Sequence, residues 1–324
     1  MRWRDREASK NVRSSRGRSG RGPAGFPGGI PFPLLALLGR GKGFGVIILV
    51  AILIFMSQGG LSGIGGADED NYISEQKTPG YEQRQAATED ESDPQTEAEM
   101  QQFLAVSLKD SEDAWTEIFK KNNRQYEPTT LHTFSNYIQS ACGGASKQVG
   151  PFYCSLDRTV YIDMSFYREL KHRFGASGDF TMSYVLSHEV GHHVQNELGI
   201  LTEAHKMMKK LSREEANEIS VRLELQADYF AGVVAKWQDE HGYLTDGDIH
   251  EAITAAQAIG DDTIQKRSQG YVVPENFTHG RAEQRIKWYL RGFQYGDLEH
   301  GDTFSLPYEK LQHRLGGYAN EARL

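Results

Sequence analysis

The segment 183-SYVLSHEVGHHVQNELG-199 crowds three histidines and a glutamate into six positions. On a helix, His188 and His192 lie four residues apart and project their imidazoles from one face. Glu189, one residue on, is turned by about 100° and stands beside that face. This is the H-E-x-x-H arrangement: two imidazole ligands for Zn²⁺, and a carboxylate placed to take the proton of a metal-bound water. The competing reading is a coincidence of polar residues on a solvated helix face. The pattern predicts an amphipathic helix over 180–198, capped by Asp179 and ended by Gly199. His193 points away from the 188/192 face and reads as a surface or core-edge residue.

A catalytic zinc takes three protein ligands and keeps a fourth position open. The metzincin pattern would place Gly at 195 and His at 198; these positions hold Gln195 and Leu198, which excludes that class. The stretch 221-VRLELQADYFAG-232 offers a better third ligand. Its helix is predicted to start at a capping box of Ser212 and Glu215 and to bury Ala216, Ile219, Leu223, Phe230 and Val234. Glu224 and Asp228 are four apart on one face, the gluzincin layout. Glu224 would coordinate zinc, and Asp228 would accept the spare N–H of a ligand histidine and so fix its tautomer. The alternatives are His205 as third ligand, or two carboxylates on a solvated face; the apolar neighbours in "LELQADYFAG" argue against the second. His241 and His250 have no spacing partner. In 277-FTHGRAEQRIKWYLRG-292, His279 and Arg285 could donate to the oxyanion of a tetrahedral intermediate or to a substrate carboxylate. A helix-capping histidine and a structural ion pair are the competing roles.

These side chains need elements to hold them. A strand over 159–164 precedes the metal helix and could receive an extended peptide at a sheet edge. Before it, Cys142 and Cys154 stand twelve apart in a Gly/Ser/Pro-rich loop, and they are the chain's two cysteines. In an oxidising compartment they read as a disulfide closing that loop; two separate buried thiols are the alternative. An amphipathic helix is predicted to begin near Ala98.

Charge divides the rest of the chain. The net charge is −8, but residues 1–42 hold ten Lys/Arg against two Asp/Glu, and residues 67–100 hold eleven acids against two bases. The first stretch, rich in Arg, Gly, Ser and Pro, reads as a disordered basic cytoplasmic arm. The acidic stretch, 65–100, reads as a disordered linker. Between them, 44-FGVIILVAILIFM-56 is free of charge. It gives about 20 Å of helix and reaches about 31 Å when extended to Ile64, enough to span a hydrocarbon core of about 30 Å. The region 43–64 is therefore expected to be a transmembrane helix, with a cleaved signal peptide as its rival. The excess of Lys/Arg before it predicts a single-pass protein with the N-terminus in the cytoplasm and the remainder periplasmic or extracellular. Residues 101–316 form the expected domain and 317–324 a tail. The domain's mildly acidic balance excludes a nucleic-acid-binding surface.

With these residues in place, the chain resembles the putative neutral zinc metallopeptidase family (YpfJ-like) of bacterial membrane-anchored proteins. The segments that carry the resemblance are "SACGGAS", "GPFYC", "VYIDMSFYREL", "SHEVGHHVQ", "ELQADYFAG", "AIGDD" and "FTHGRAEQR", in that order. The "ELQAD" and late His–Arg segments are also similar to HtpX-type membrane metallopeptidases. The resemblance implies an α+β, mostly helical zincin-like domain with a small sheet and one zinc ion per chain. The expected function is a membrane-anchored zinc endopeptidase acting on peptide or protein substrates. His188, His192 and Glu224 would hold the metal, Glu189 and His279 would be catalytic, Asp228 would orient a ligand and Arg285 would bind substrate. A non-catalytic zinc-containing scaffold is the alternative, and it would have no use for Glu189.

Overall fold

Helix α1 (Glu97–Lys121) begins at a capping box: the Thr96 hydroxyl accepts from the Glu99 N–H, and the Glu99 carboxylate accepts from the Thr96 N–H. This satisfies two of the amide donors that a helix start leaves without partners. The computed structural model of the chain describes residues 1–15 and 96–312. The expected membrane helix (43–64), most of the acidic linker and the tail lie outside the described residues. Among those described, no helix is long and apolar enough to cross a membrane.

The N-terminal residues are not a disordered arm as far as Ser15. Strand β1 (Val12–Ser15) pairs in parallel with β2 (Thr130–Phe134), with Val12 opposite Leu131. After the hairpin β3 (Tyr137–Ser140) and β4 (Gly143–Ser146) come β5 (Phe152–Cys154) and β6 (Thr159–Asp163), and the four-stranded sheet runs β1-β2-β6-β5. Only β5 is antiparallel to its neighbour. The strand β6, expected at an edge, is interior and buried along its whole length; the edge beside the helices is β5. The two hydrogen-bonding edges of β6 are taken by β2 and β5, so neither is open to an extended peptide. Cys142 and Cys154 form the expected disulfide, tying the β3–β4 turn to the end of β5.

After a short helix α2 (Phe166–Glu169) and a π turn (Leu170–Phe174), the helical body follows: α3 (Asp179–Glu197), α4 (Ile200–Met208), α5 (Arg213–Glu240), α6 (Asp248–Ala258), α7 (Asp261–Gln269), α8 (Ala282–Tyr295) and α9 (Tyr308–Gln312). The architecture is α+β, mostly helical with a small sheet, as expected. Helix α3 is not amphipathic, because every residue from Asp179 to Gln195 is buried. A helix enclosed on all sides is a central one. Asp179 does not cap it; Glu251 of α6 accepts from the Phe180 N–H instead, across the space left open by Gly178. Helix α5 starts at the Ser212–Glu215 capping box read from the sequence.

Two close crossings set the depth of the site. A Cβ on Gly191 of α3 would meet the Ala227 backbone of α5 at 3.0 Å. On the other side of α5, a Cβ on Gly232 would lie 2.0 Å from the Tyr289 carbonyl, and one on Gly292 of α8 would lie 1.9 Å from the Tyr229 carbonyl. The missing side chains let α3, α5 and α8 meet backbone to backbone.

Candidate metal centre

Helices α3 and α5 bring His188, His192 and Glu224 together in the core, with exposures of 4%, 6% and 0%. One ligand atom from each lies within 4.8 Å of the others. The His188 Nε2 is 3.1 Å from Glu224 Oε2, and the His192 Nε2 is 3.3 Å from Glu224 Oε1. The second contact lacks hydrogen-bond geometry, so Glu224 Oε1 is buried with no partner among the described residues. A cation between the three side chains would satisfy it. Two imidazoles and one carboxylate are also the donor types a catalytic zinc takes.

The other ring nitrogens are spoken for. His188 Nδ1 donates to Asp228 Oδ1 at 2.8 Å, as expected. His192 Nδ1 donates to Gln195 Oε1 at 2.9 Å, and the Gln195 amide in turn donates to the Leu223 carbonyl. These bonds fix the Nδ1–H of both rings and turn each Nε2 towards the Glu224 carboxylate. Gln195 served the sequence reading only to exclude one ligand pattern; its place three residues after His192 was the signal for its role. Asp228 is itself held by the Tyr184 hydroxyl and by two bonds from Arg285.

Arg285, expected to bind substrate, lines the cleft and is held there by Asp228. It is 1% exposed, and its Nε and Nη2 bind the two Asp228 oxygens at 2.9 and 3.0 Å. A fully buried guanidinium needs such a counter-ion, and Asp228 supplies it. His279 is also fully buried. Its Nδ1 faces Asp261 Oδ1 at 3.1 Å, while the other Asp261 oxygen accepts from the backbone N–H groups of Thr278, His279 and Gly280. Among the described residues, His279 Nε2 has no hydrogen-bond partner. The sequence singled out His279 but missed Asp261, which stands in the "AIGDD" segment eighteen residues earlier.

The charges of the site follow from these contacts. Burial alone would lower the His188 pKa, but the Asp228 and Glu224 carboxylates outweigh it and raise it to about 9. Burial would raise Glu224, yet His192, His279 and His188 hold it well below the usual carboxylate range. Glu189 moves the other way: burial pushes it up, and its Oε2 has no hydrogen-bond partner among the described residues. A raised carboxylate with one such oxygen, beside the ligand pair, has the basicity to accept a proton. His188, Glu189 and Glu224 line a cleft together with Glu169, Tyr184 and Arg285, and its apolar walls include Val149, Pro151, Phe166, Val185 and Ile264.

Two further histidines singled out in the sequence, His193 and His205, stay apart from this cluster. His193 is a core residue whose Nε2 donates to the Glu127 carbonyl and whose Nδ1 accepts from the Tyr153 hydroxyl; burial lowers it to about 4. His205 is outside the ligand group, so Glu224 rather than His205 completes it.

A family model described as "Putative neutral zinc metallopeptidase" matches residues 1–304. The chain is 41% identical over 304 residues to the "Uncharacterized protein YpfJ" of Escherichia coli, covering 94% of this chain and 99% of that protein. It is 37% identical over 266 residues to an uncharacterized protein of Mycobacterium tuberculosis, covering 79% and 85%. No solved structure matches. The match runs through the whole buried cluster of His188, Glu189, His192, Glu224, Asp228 and His279, and the chain belongs to the putative neutral zinc metallopeptidase family.

Proposed function

We propose that the protein is a zinc-dependent endopeptidase, attached to a membrane through the apolar run 44–56. The observation that carries the peptidase reading is the convergence of His188, His192 and Glu224 beside a cleft where Glu189 stands buried, its Oε2 without a partner among the described residues. His188, His192 and Glu224 would hold a zinc ion, which would supply Lewis-acid chemistry for the scissile carbonyl and the attacking water. Glu189 accepts the proton of the attacking water and passes it to the leaving nitrogen. His279, kept in place by Asp261, turns its Nε2 towards the oxyanion that forms at the carbonyl. Asp228, Tyr184 and Arg285 hold the His188 ring and take no part in proton transfer. The apolar walls from Val149 to Ile264 receive an apolar side chain of the substrate next to the scissile bond.

A zinc kept only for structure would be closed by a fourth ligand, and Glu189 would be a buried carboxylate without purpose. The test is zinc content and peptide cleavage in the purified chain, before and after chelation and in Glu189→Gln. The expected result is one zinc per chain, activity lost with the metal, and a Glu189→Gln protein that keeps zinc and loses hydrolysis. Loss of zinc from Glu189→Gln comparable to that from His188→Ala would overturn the assignment of base and ligand.

A further inference from the structure

The first fifteen residues are built into the metal domain at both ends of their length. Met1 and Trp3 are buried, at 1% and 4% exposure, and the Trp3 ring meets Phe103 edge to face. The Met1 ammonium lies 3.0 Å from Asp179 and 3.0 Å from Asp248, the first residues of α3 and α6. With Glu251, these two acids form a cluster that could hold a cation, and the Met1 ammonium pairs with two of the three. Arg6 pairs with Asp110 of α1, which is 1% exposed. The Ser9 hydroxyl and the Asn11 amide both donate to Glu112 Oε1. Backbone bonds run from Arg2 N–H to the Tyr243 carbonyl, from Ser9 N–H to the Ala105 carbonyl and from Leu131 N–H to the Asn11 carbonyl. Beyond them, β1 extends the sheet by four residues. The family match includes this segment, since it covers residues 1–304.

Such contacts are incompatible with a bilayer lying between the partners. A single crossing between residues 15 and 96 would place them on opposite faces. Exchange of the segment between two copies would not help, because both copies would have the same orientation. Without residues 1–15, the acids Asp110, Asp179 and Asp248 would be left buried without their cationic partners, a state that proteins avoid.

We propose that residues 1–15 and residues 96–312 lie on the same side of any membrane the chain meets, so that the intervening segment crosses it an even number of times, zero included. This replaces the arrangement expected from charge, in which one helix separates a cytoplasmic N-terminus from an external domain. It leaves the peptidase reading untouched, because the cleft and its ligands are on the same body in either case.

The experiment uses the full-length chain in its native membrane. Single cysteines replace two exposed lysines, Lys10→Cys in the segment and Lys210→Cys in the domain. The two native cysteines are bonded to each other, and the wild-type chain sets the background. A membrane-impermeant maleimide is applied to intact cells and again after permeabilisation. The two reporters are expected to label under the same condition and to equal extent. In parallel, Arg13→Cys with His132→Cys, which face each other across β1 and β2, is expected to give an intramolecular cross-link on mild oxidation. Labelling of one reporter in intact cells and of the other only after permeabilisation would overturn the proposal, as would failure of the pair to cross-link. Zinc bound by each variant shows that the domain has kept its fold.

Discussion

His188 does two jobs whose chemistries pull against each other. Its Nε2 must be bare to bind a metal, yet the carboxylates of Asp228 and Glu224 hold a proton on the ring up to about 9, against the desolvation that would remove it. Zinc must displace that proton, so below about pH 9 the affinity should fall by roughly tenfold for each pH unit of acidification. Calorimetry at pH 7 in buffers of different ionisation enthalpy should count about one proton released per zinc; a count near zero would refute the coupling. The His279–Asp261 pair makes a separate prediction. If His279 donates only to the developing oxyanion, His279→Ala should keep zinc and lower kcat by about 10²–10³ with little change in KM. Asp261→Asn should act through the same histidine, so the double variant should be hardly slower than His279→Ala alone. Wild-type turnover in His279→Ala would make it a residue that ties the 278–280 turn to α7 and nothing more. Much of this level could be read from the sequence, because the ligands sit on two helices at four-residue spacing. His188 and His192 announce themselves within five residues. Asp261 could not be read as the partner of His279, because only the folded chain brings α7 against the turn before α8.

At the scale of elements, the site depends on how closely three helices approach. The donor atoms of α3 and α5 converge because Gly191 lets their backbones touch, and Arg285 of α8 reaches Asp228 because Gly232 and Gly292 do the same on the other side. Gly232→Ala would put a methyl group 2.0 Å from the Tyr289 carbonyl, a contact with backbone that no rotamer change relieves. Overpacking of this kind costs about 1–3 kcal/mol where the structure can yield, and more where it cannot. The variant should therefore melt well below wild type, and its zinc affinity should fall as Arg285 is drawn away from Asp228. An unchanged Tm with unchanged zinc binding would show that the crossing is looser than its geometry implies. Helix existence was legible here from capping boxes at Ser212–Glu215 and from periodic apolar residues. The place of β6 was not. A strand's residues do not say which strands take its two edges; β2 and β5 take those of β6, and β2 in turn pairs with β1, a strand from more than a hundred residues away that lies in a stretch of basic, Gly-rich composition. Composition averaged over 1–42 concealed the ordered residues 1–15 inside it.

For the molecule as a whole, the question is whether residues 1–15 decorate the domain or complete it. Their partners answer it. Asp110, Asp179 and Asp248 are each no more than 3% exposed and come from three different helices, and each pairs with a cation of the N-terminal segment. Breaking a buried ion pair by removing one partner costs about 3–5 kcal/mol, because the remaining charge has no water to turn to. The segment also buries Met1 and Trp3, each large enough to contribute about 2 kcal/mol. Summed over these contacts, the loss is comparable to the whole stability of an ordinary domain, about 5–15 kcal/mol. A chain that starts at residue 96 should thus lack a cooperative unfolding transition, even though it holds all the proposed metal ligands. A chain in which residues 16–95 are replaced by a Gly/Ser linker of about thirty residues, whose typical end-to-end distance is about 30 Å, should fold, melt cooperatively and bind zinc. Thermal melting of the two followed by circular dichroism, with zinc content measured alongside, separates the cases. If the shorter chain melts at the temperature of the linked one, the first fifteen residues are packed on the domain without supporting it.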